Sequence, residues 1–178
     1  YFDVGIARVV SGPITAFAGR DVLVISDELN HASIIDGTRL ASAEVGIFPH
    51  RDLDALDALI VEQARGRKVV VVSDTVFSMD GDLADTEDLI ARSNRHGALL
   101  ILDEIYTCFG RTGKWFACEH SGVVPDVICL GKALTGGFPL SACVGRADVM
   151  DAAWPVSQGE AIHTSTFLGH PVGCAMAL

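Results

Sequence analysis

The segment LLILDEIY (residues 99–106) runs apolar and then ends on two carboxylates, Asp103 and Glu104. A continuous apolar run reads as a strand covered on both faces, so charge at its carboxyl end needs a purpose. Two other runs end on reactive groups. VVVVSDTVFSMDGD (residues 69–82) brings Ser73, Asp74 and Ser78, and VICLGKALTGG (residues 127–137) brings Lys132, followed by Gly136 and Gly137. In a parallel α/β sheet, ligands collect beyond the carboxyl ends of strands. An acid and an amine at neighbouring strand ends are the makings of a cofactor site. Lys132 lies between VICLG and ALTGGFPLSA, surroundings poor in charge, and desolvation there would favour a neutral, nucleophilic amine. The plainer alternatives are a helix-capping or loop acid at Asp103 and a solvated surface amine at Lys132.

These residues need a scaffold, and the rest of the chain spells one out. Strand patterns recur at DVLVIS (residues 21–26), KVVVVS (68–73), ALLIL (98–102), DVICL (126–130) and SACVG (141–145). Between the first three lie SIIDGTRLASA, LDALDALIVEQA and TEDLIARSNRH, with apolar residues three and four apart. This alternation predicts a three-layer α/β/α domain with a mostly parallel sheet. SACVG follows DVICL closely enough to run antiparallel. The closing PVGCAMAL reads as the first turns of an apolar helix. No repeat, linker or low-complexity tract interrupts the pattern, so a single domain is expected.

Composition narrows the partners. The 178 residues are 49% hydrophobic, sufficient for a sizeable core, and carry a formal charge of -10. Basic residues cluster no further than RGRK (residues 65–68), which argues against nucleic acid. No apolar run is long enough to span a bilayer, and the start lacks a basic, cleavable leader, so a cytoplasmic protein with no membrane partner is expected. Five cysteines, without a CxxC pair, suggest neither a disulfide framework nor a metal site; most are expected to be small core residues.

DEIYTCFGRTGKWFACEHSGVVPDVICLGKALTGGFPLSACVG (residues 103–145), with GEAIHTSTFLGHPVGCA (159–175), closely resembles class III aminotransferases of the fold type I pyridoxal-phosphate superfamily. DELNHASIIDGTRLASAE (27–44) and VFSMDGDLADTEDLI (76–90) resemble another branch, the α-oxoamine synthases, which condense an amino acid with an acyl-CoA. The change falls between Gly97 and Asp103, the pattern expected of a chimera or fragment. The resemblance implies pyridoxal 5'-phosphate as cofactor, with Lys132 as the Schiff-base lysine and Asp103 paired with the pyridine nitrogen. An ionised Asp103 keeps that nitrogen protonated, so the ring can accept electrons when a substrate Cα loses its proton. Lys132, once exchanged for a substrate amine, becomes the base that moves the proton.

The same resemblance sets Ile105 against the ring face and Tyr106 where the families place a glutamine or histidine. It gives Thr166 the phosphate of a neighbouring subunit in a homodimer, although a threonine before an apolar helix can also be a cap. It implies that His31 stacks on the ring and that Ser78 lies close to it; their plainer roles are a helix-start residue and a turn residue. Arg111 belongs to a tight glycine-rich turn. Cys108 stands where class III sequences have glycine, so strain is expected if that position needs positive φ. His170 replaces an asparagine and carries no catalytic role.

The small C-terminal domain of the family is expected to be absent, leaving a partial large domain. VVSGPITAFAG (residues 9–19) is expected to be a remnant of the phosphate-binding turn. Three functions are compatible with these residues. The leading one is amino transfer between an amino acid or amine and a 2-oxo acid. The others are acyl-CoA-dependent synthase chemistry and a non-catalytic folded fragment.

Overall fold

A computed structural model describes residues 4–153 and 169–178. The predicted α/β/α architecture is present, built on a six-stranded sheet. The strands are β1 (Val22–Asp27), β2 (Glu44–Phe48), β3 (Lys68–Asp74), β4 (Leu99–Asp103), β5 (Val127–Leu130) and β6 (Ala142–Gly145). Their order is β2-β1-β3-β4-β5-β6. All neighbours are parallel except β5 and β6, which run antiparallel.

Alternate residues of the central strands feed two separate cores, as the two-residue period of a strand requires. Leu23, Ile25, Val69, Val71, Leu100 and Leu102 pack on one face beneath α3 (Leu53–Gln63) and α4 (Thr86–Arg95). Val22, Val24, Val70, Val72 and Ile101 pack on the other beneath α1 (Val4–Phe17) and α2 (Ala32–Leu40). The helices begin where local chemistry starts them. Asp52 and Asp85 accept the Ala55 and Asp88 amides at the first turns of α3 and α4. Arg92 and Arg95 close α4 against its negative end. Two shorter helices follow, α5 (Ala147–Ala153) and α6 (Pro171–Ala177).

Two elements depart from expectation. The SIIDGTRLASA helix stops at Leu40, and the next residues form β2, an edge strand absent from the sequence reading. Its half-exposed pattern lacks the unbroken apolar run that announces a central strand. VVSGPITAFAG lies largely within α1, with Pro13 inside the helix, rather than forming a turn. Helix α1 packs on α2 so closely that a Cβ at Gly37 would stand 2.8 Å from Ser11 Cα.

The sheet also decides where a ligand can sit. From β1 the chain moves outward to β2, then returns to place β3 on the other side of β1. This reversal opens a crevice beyond the carboxyl ends of β1 and β3, the usual ligand position in open α/β sheets.

Candidate active site

Asn30 spans that crevice. Buried beyond β1, it donates from Nδ2 to the Val72 carbonyl, while its Oδ1 accepts the Asp74 amide, both at 2.9 Å. His31 follows as the N-cap of α2: its ring Nδ1 accepts the Ser33 amide, and its own N–H donates to Asp74 Oδ2 at 2.8 Å. Beyond the next strand ends, Asp103 closes β4, Ile105 is buried, and Lys132 begins a single 3-10 turn after β5. His31, Asp74, Ser78, Asp103, Ile105, Tyr106, Thr107 and Lys132 all line one small cleft of about 80 Å³. A larger open depression, about 360 Å³, lies among Phe109, Trp115 and Glu119 and shares no residue with it. The buried acids and the amine mark the smaller cleft as the chemical site.

Asp74 and Asp103 are register partners on adjacent parallel strands. Both are buried, and neither forms a salt bridge among the described residues. Burial, then the neighbouring Asp103 charge, pushes Asp74 up to about 7. Burial likewise pushes Asp103 up to about 6, against the Ile105 amide, which its Oδ1 accepts at 2.8 Å, and the nearby His31 and Lys132. The cleft floor therefore gathers two carboxyl groups with no ion-pair partner among the described residues, a natural complement for a cationic or N–H-bearing ligand. Thr75 supports this floor by donating to the Asp103 carbonyl at 3.0 Å.

Lys132 corrects the expectation of a desolvated amine. It is exposed at the cleft mouth, with φ 35°, and its Nζ lies 4.8 Å from the centre of the Tyr106 ring. The Arg111 guanidinium lies 5.1 Å from the same ring. A single 3-10 turn lifts the lysine away from the apolar strand that precedes it. Gly131 permits that turn: a Cβ there would stand 3.2 Å from Ile105 Cγ2.

The structure thus brings together Lys132, Asp103, Ile105, Tyr106, His31 and Ser78. Thr166 lies outside the described residues. The plainer roles are also present: Asp103 accepts an amide two residues on, His31 caps α2, and the exposed Ser78 sits in a turn closed by Gly81 N–H to the Phe77 carbonyl. Cys108 is buried and does not have positive φ; Phe109 and Gly110 take the left-handed conformations instead. The expected strain at Cys108 therefore does not arise.

Asp74 and Asn30 are the contributors that sequence reasoning left without roles. The sequence puts Asp74 at a strand end, but only the register sets it beside Asp103. Glu104, the second carboxylate of the DE pair, turns away to a structural task. Fully buried, it accepts the Ala117 and Cys118 amides at 3.0 and 2.8 Å and the Thr107 hydroxyl. It thereby fastens the loop after β4 to the 3-10 turn at Ala117–Ser121.

Comparison with known proteins agrees with this architecture. The family description "Aminotransferase class-III" matches residues 20–178. The 8-amino-7-oxononanoate synthase of Burkholderia thailandensis is 38% identical over 99% of this chain and 45% of its own length. The serine palmitoyltransferase of S. paucimobilis, solved with bound pyridoxal phosphate and myriocin, superposes with TM-score 0.71 at 26% identity, covering 81% of this chain and 39% of its own. The ornithine delta-aminotransferase of Plasmodium falciparum gives TM-score 0.69 at 27% identity, over 97% of this chain and 41% of its own. The chain spans less than half the length of each of these relatives. Both the family match and the synthase alignment cross the segment between Gly97 and Asp103. With its parallel sheet, its switch-point cleft and a match over nearly its whole length, the chain belongs to the class-III aminotransferase family, within the fold type I pyridoxal-phosphate-dependent transferases, and resembles the α-oxoamine synthases as well.

Proposed function

We propose that this chain carries the cofactor-binding core of an aminotransferase that moves an amino group between an amino acid or amine and a 2-oxo acid. The observation that carries this reading is the convergence of Lys132 and Asp103 on one cleft, with Asp103 buried and without a salt bridge among the described residues. These residues fit pyridoxal 5'-phosphate. Lys132 Nζ is a primary amine at the mouth, and the Asp103 carboxylate on the floor suits a protonated ring nitrogen. When bound, that cofactor supplies an electron sink for a carbanion at the substrate Cα.

The chain's own residues supply the remainder. Lys132 would hold the cofactor through Nζ, and the same amine, when free, would take and return a substrate proton. Asp103 would hold a proton at the ring nitrogen, since a cation beside it favours the ionised carboxylate. Ile105 would supply an apolar wall for the cofactor within the cleft. Tyr106 orients Lys132 through its ring face. Thr166 would reach the phosphate of a neighbouring subunit in a homodimer. The substrates are small molecules, an amino donor and a 2-oxo acid acceptor, and a cytoplasmic location suits them.

A second reading, an α-oxoamine synthase using acyl-CoA, draws support from His31 and Ser78 on the same cleft and from the 38% identity to a synthase. Incubation with pyridoxal phosphate, borohydride reduction and peptide mapping test the shared premise. Selective labelling of Lys132, lost in Lys132→Ala, is expected; labelling that persists in the variant would overturn the anchor assignment. The product then separates the readings. Amino transfer that depends on a 2-oxo acid supports the first, and release of free CoA supports the second.

A further inference from the structure

β5 and β6 set Cys129 opposite Cys143 across the sheet's antiparallel pair. Two backbone hydrogen bonds fix what kind of pair this is. The Cys129 carbonyl accepts the Glu104 amide at 2.9 Å, so its peptide groups point toward β4 and away from β6. The Asp126 carbonyl, an odd number of residues earlier on the pleat, points the other way and accepts the Arg146 amide at 3.0 Å. Cys129 and Cys143 are therefore a non-hydrogen-bonded pair, the class whose Cα atoms lie closest, about 4.5 Å apart. That spacing falls within the range a disulfide bridges.

Both thiols point to the same face of the sheet. Cys129 is wholly buried in the core beneath α1 and α2, and Cys143, only partly buried, packs against that core. The two side chains are hydrogen-bonded to each other; this contact lowers the Cys143 thiol and raises the Cys129 thiol. Cys143 is thus both the more accessible sulfur and the more readily ionised one. The segment between them, residues 130–142, contains Lys132.

We propose that Cys129 and Cys143 form a reversible disulfide that closes the neck of the loop carrying Lys132. The oxidant is hydrogen peroxide. The Cys143 thiolate attacks one peroxide oxygen, forming an S–O bond as the O–O bond breaks; the departing hydroxide takes up a proton and leaves as water. The Cys129 sulfur then displaces the oxygen from Cys143, losing its own proton, so a second water leaves as the S–S bond forms. Two thiols lose two electrons, and the peroxide is reduced to two waters. A dithiol reverses the bridge by exchange. The bridge itself is independent of the cofactor reading; its effect on Lys132 rests on that reading.

The test is treatment of the purified chain with hydrogen peroxide, followed by non-reducing peptide mapping and thiol counting after denaturation. The expected result is loss of two of the five free thiols, with a Cys129–Cys143 cross-linked peptide two hydrogens lighter than its parts and released by dithiothreitol. Cys143→Ser should abolish the cross-link, and so should Cys129→Ala. Cross-links confined to other cysteines, or Cys143 oxidised to sulfinic acid with Cys129 still free, would overturn the proposal. Reductive labelling of Lys132 by pyridoxal phosphate, compared between bridged and reduced chain, reads the consequence. Slower labelling in the bridged form, restored by dithiothreitol, supports the clamp; equal rates leave the bridge standing and overturn the clamp. Absence of Lys132 labelling in both forms counts against the cofactor reading alone.

Discussion

Asp103 and Glu104 are neighbours in sequence and both buried, yet they do different work. Three donors satisfy Glu104, whereas Asp103 accepts one backbone amide and faces the cleft. Asp103→Asn should therefore keep the fold and bind pyridoxal phosphate, but slow Cα-proton abstraction by about 10²–10⁴-fold. Single-turnover spectroscopy with an amino donor measures this, and an unchanged rate would contradict the role given to Asp103. Asp74 has the opposite signature in the cofactor-free chain, because its ionised form meets both burial and a second carboxylate. Asp74→Asn removes that charge and retains an oxygen for the His31 amide. Its stabilising effect on the cofactor-free protein should be about 2–3 kcal/mol larger at pH 8 than at pH 5, measured by urea unfolding, because the folded carboxyl loses its proton between these values while the unfolded one is ionised at both.

Helices α1 and α2 pack backbone to backbone. Gly37 lets α2 lie on α1, and a methyl group there would press on the Ser11 backbone, which cannot swing aside. Gly37→Ala should cost about 1–3 kcal/mol in denaturant unfolding despite the better helix propensity of alanine. A neutral or stabilising result would show that the two helices can separate. On the other face, Arg92 joins α3 to α4: it donates to the Leu53 carbonyl and meets Asp54, Asp57 and Asp88. Glu104, through the Ala117 and Cys118 amides, performs the corresponding service for the loop after β4.

Across the molecule, proton linkage follows from groups at the strand ends. Asp74 and Asp103 titrate near 7 and 6 when folded, against about 4 when unfolded. Between those values the folded chain binds more protons, so this contribution is fully present below about pH 4 and is lost as pH rises through 6 to 7. His50 adds to the same trend. Burial alone would lower it, but hydrogen bonds to Asp27 and Asp82 outweigh burial and raise it. Its stabilisation is likewise lost as pH rises through the raised value. The cofactor-free chain should thus melt at a higher temperature at pH 5.5 than at pH 8.5, and pyridoxal phosphate should narrow the gap by supplying a cation to Asp103. Calorimetry at the two pH values, with and without cofactor, checks both signs. No described helix is long and apolar enough to cross a membrane. The neighbouring-subunit contact proposed for Thr166 predicts a homodimer in sedimentation.

Much of this protein was legible locally. Unbroken apolar runs announced β1, β3 and β4 because both faces of a central strand are buried, and three- and four-residue spacing announced α3 and α4. The residues around Lys132 and Asp103 carried enough identity to name their superfamily. Edge strand β2 escaped notice because half of it meets solvent, and the antiparallel course of β6 stayed open because sequence spacing does not fix strand direction. Only the tertiary structure set Asp74 beside Asp103, lifted Lys132 to the cleft mouth and brought Cys143 against Cys129. Burial periodicity is written residue by residue along the chain, whereas register and proximity arise from strand pairings across long stretches of it.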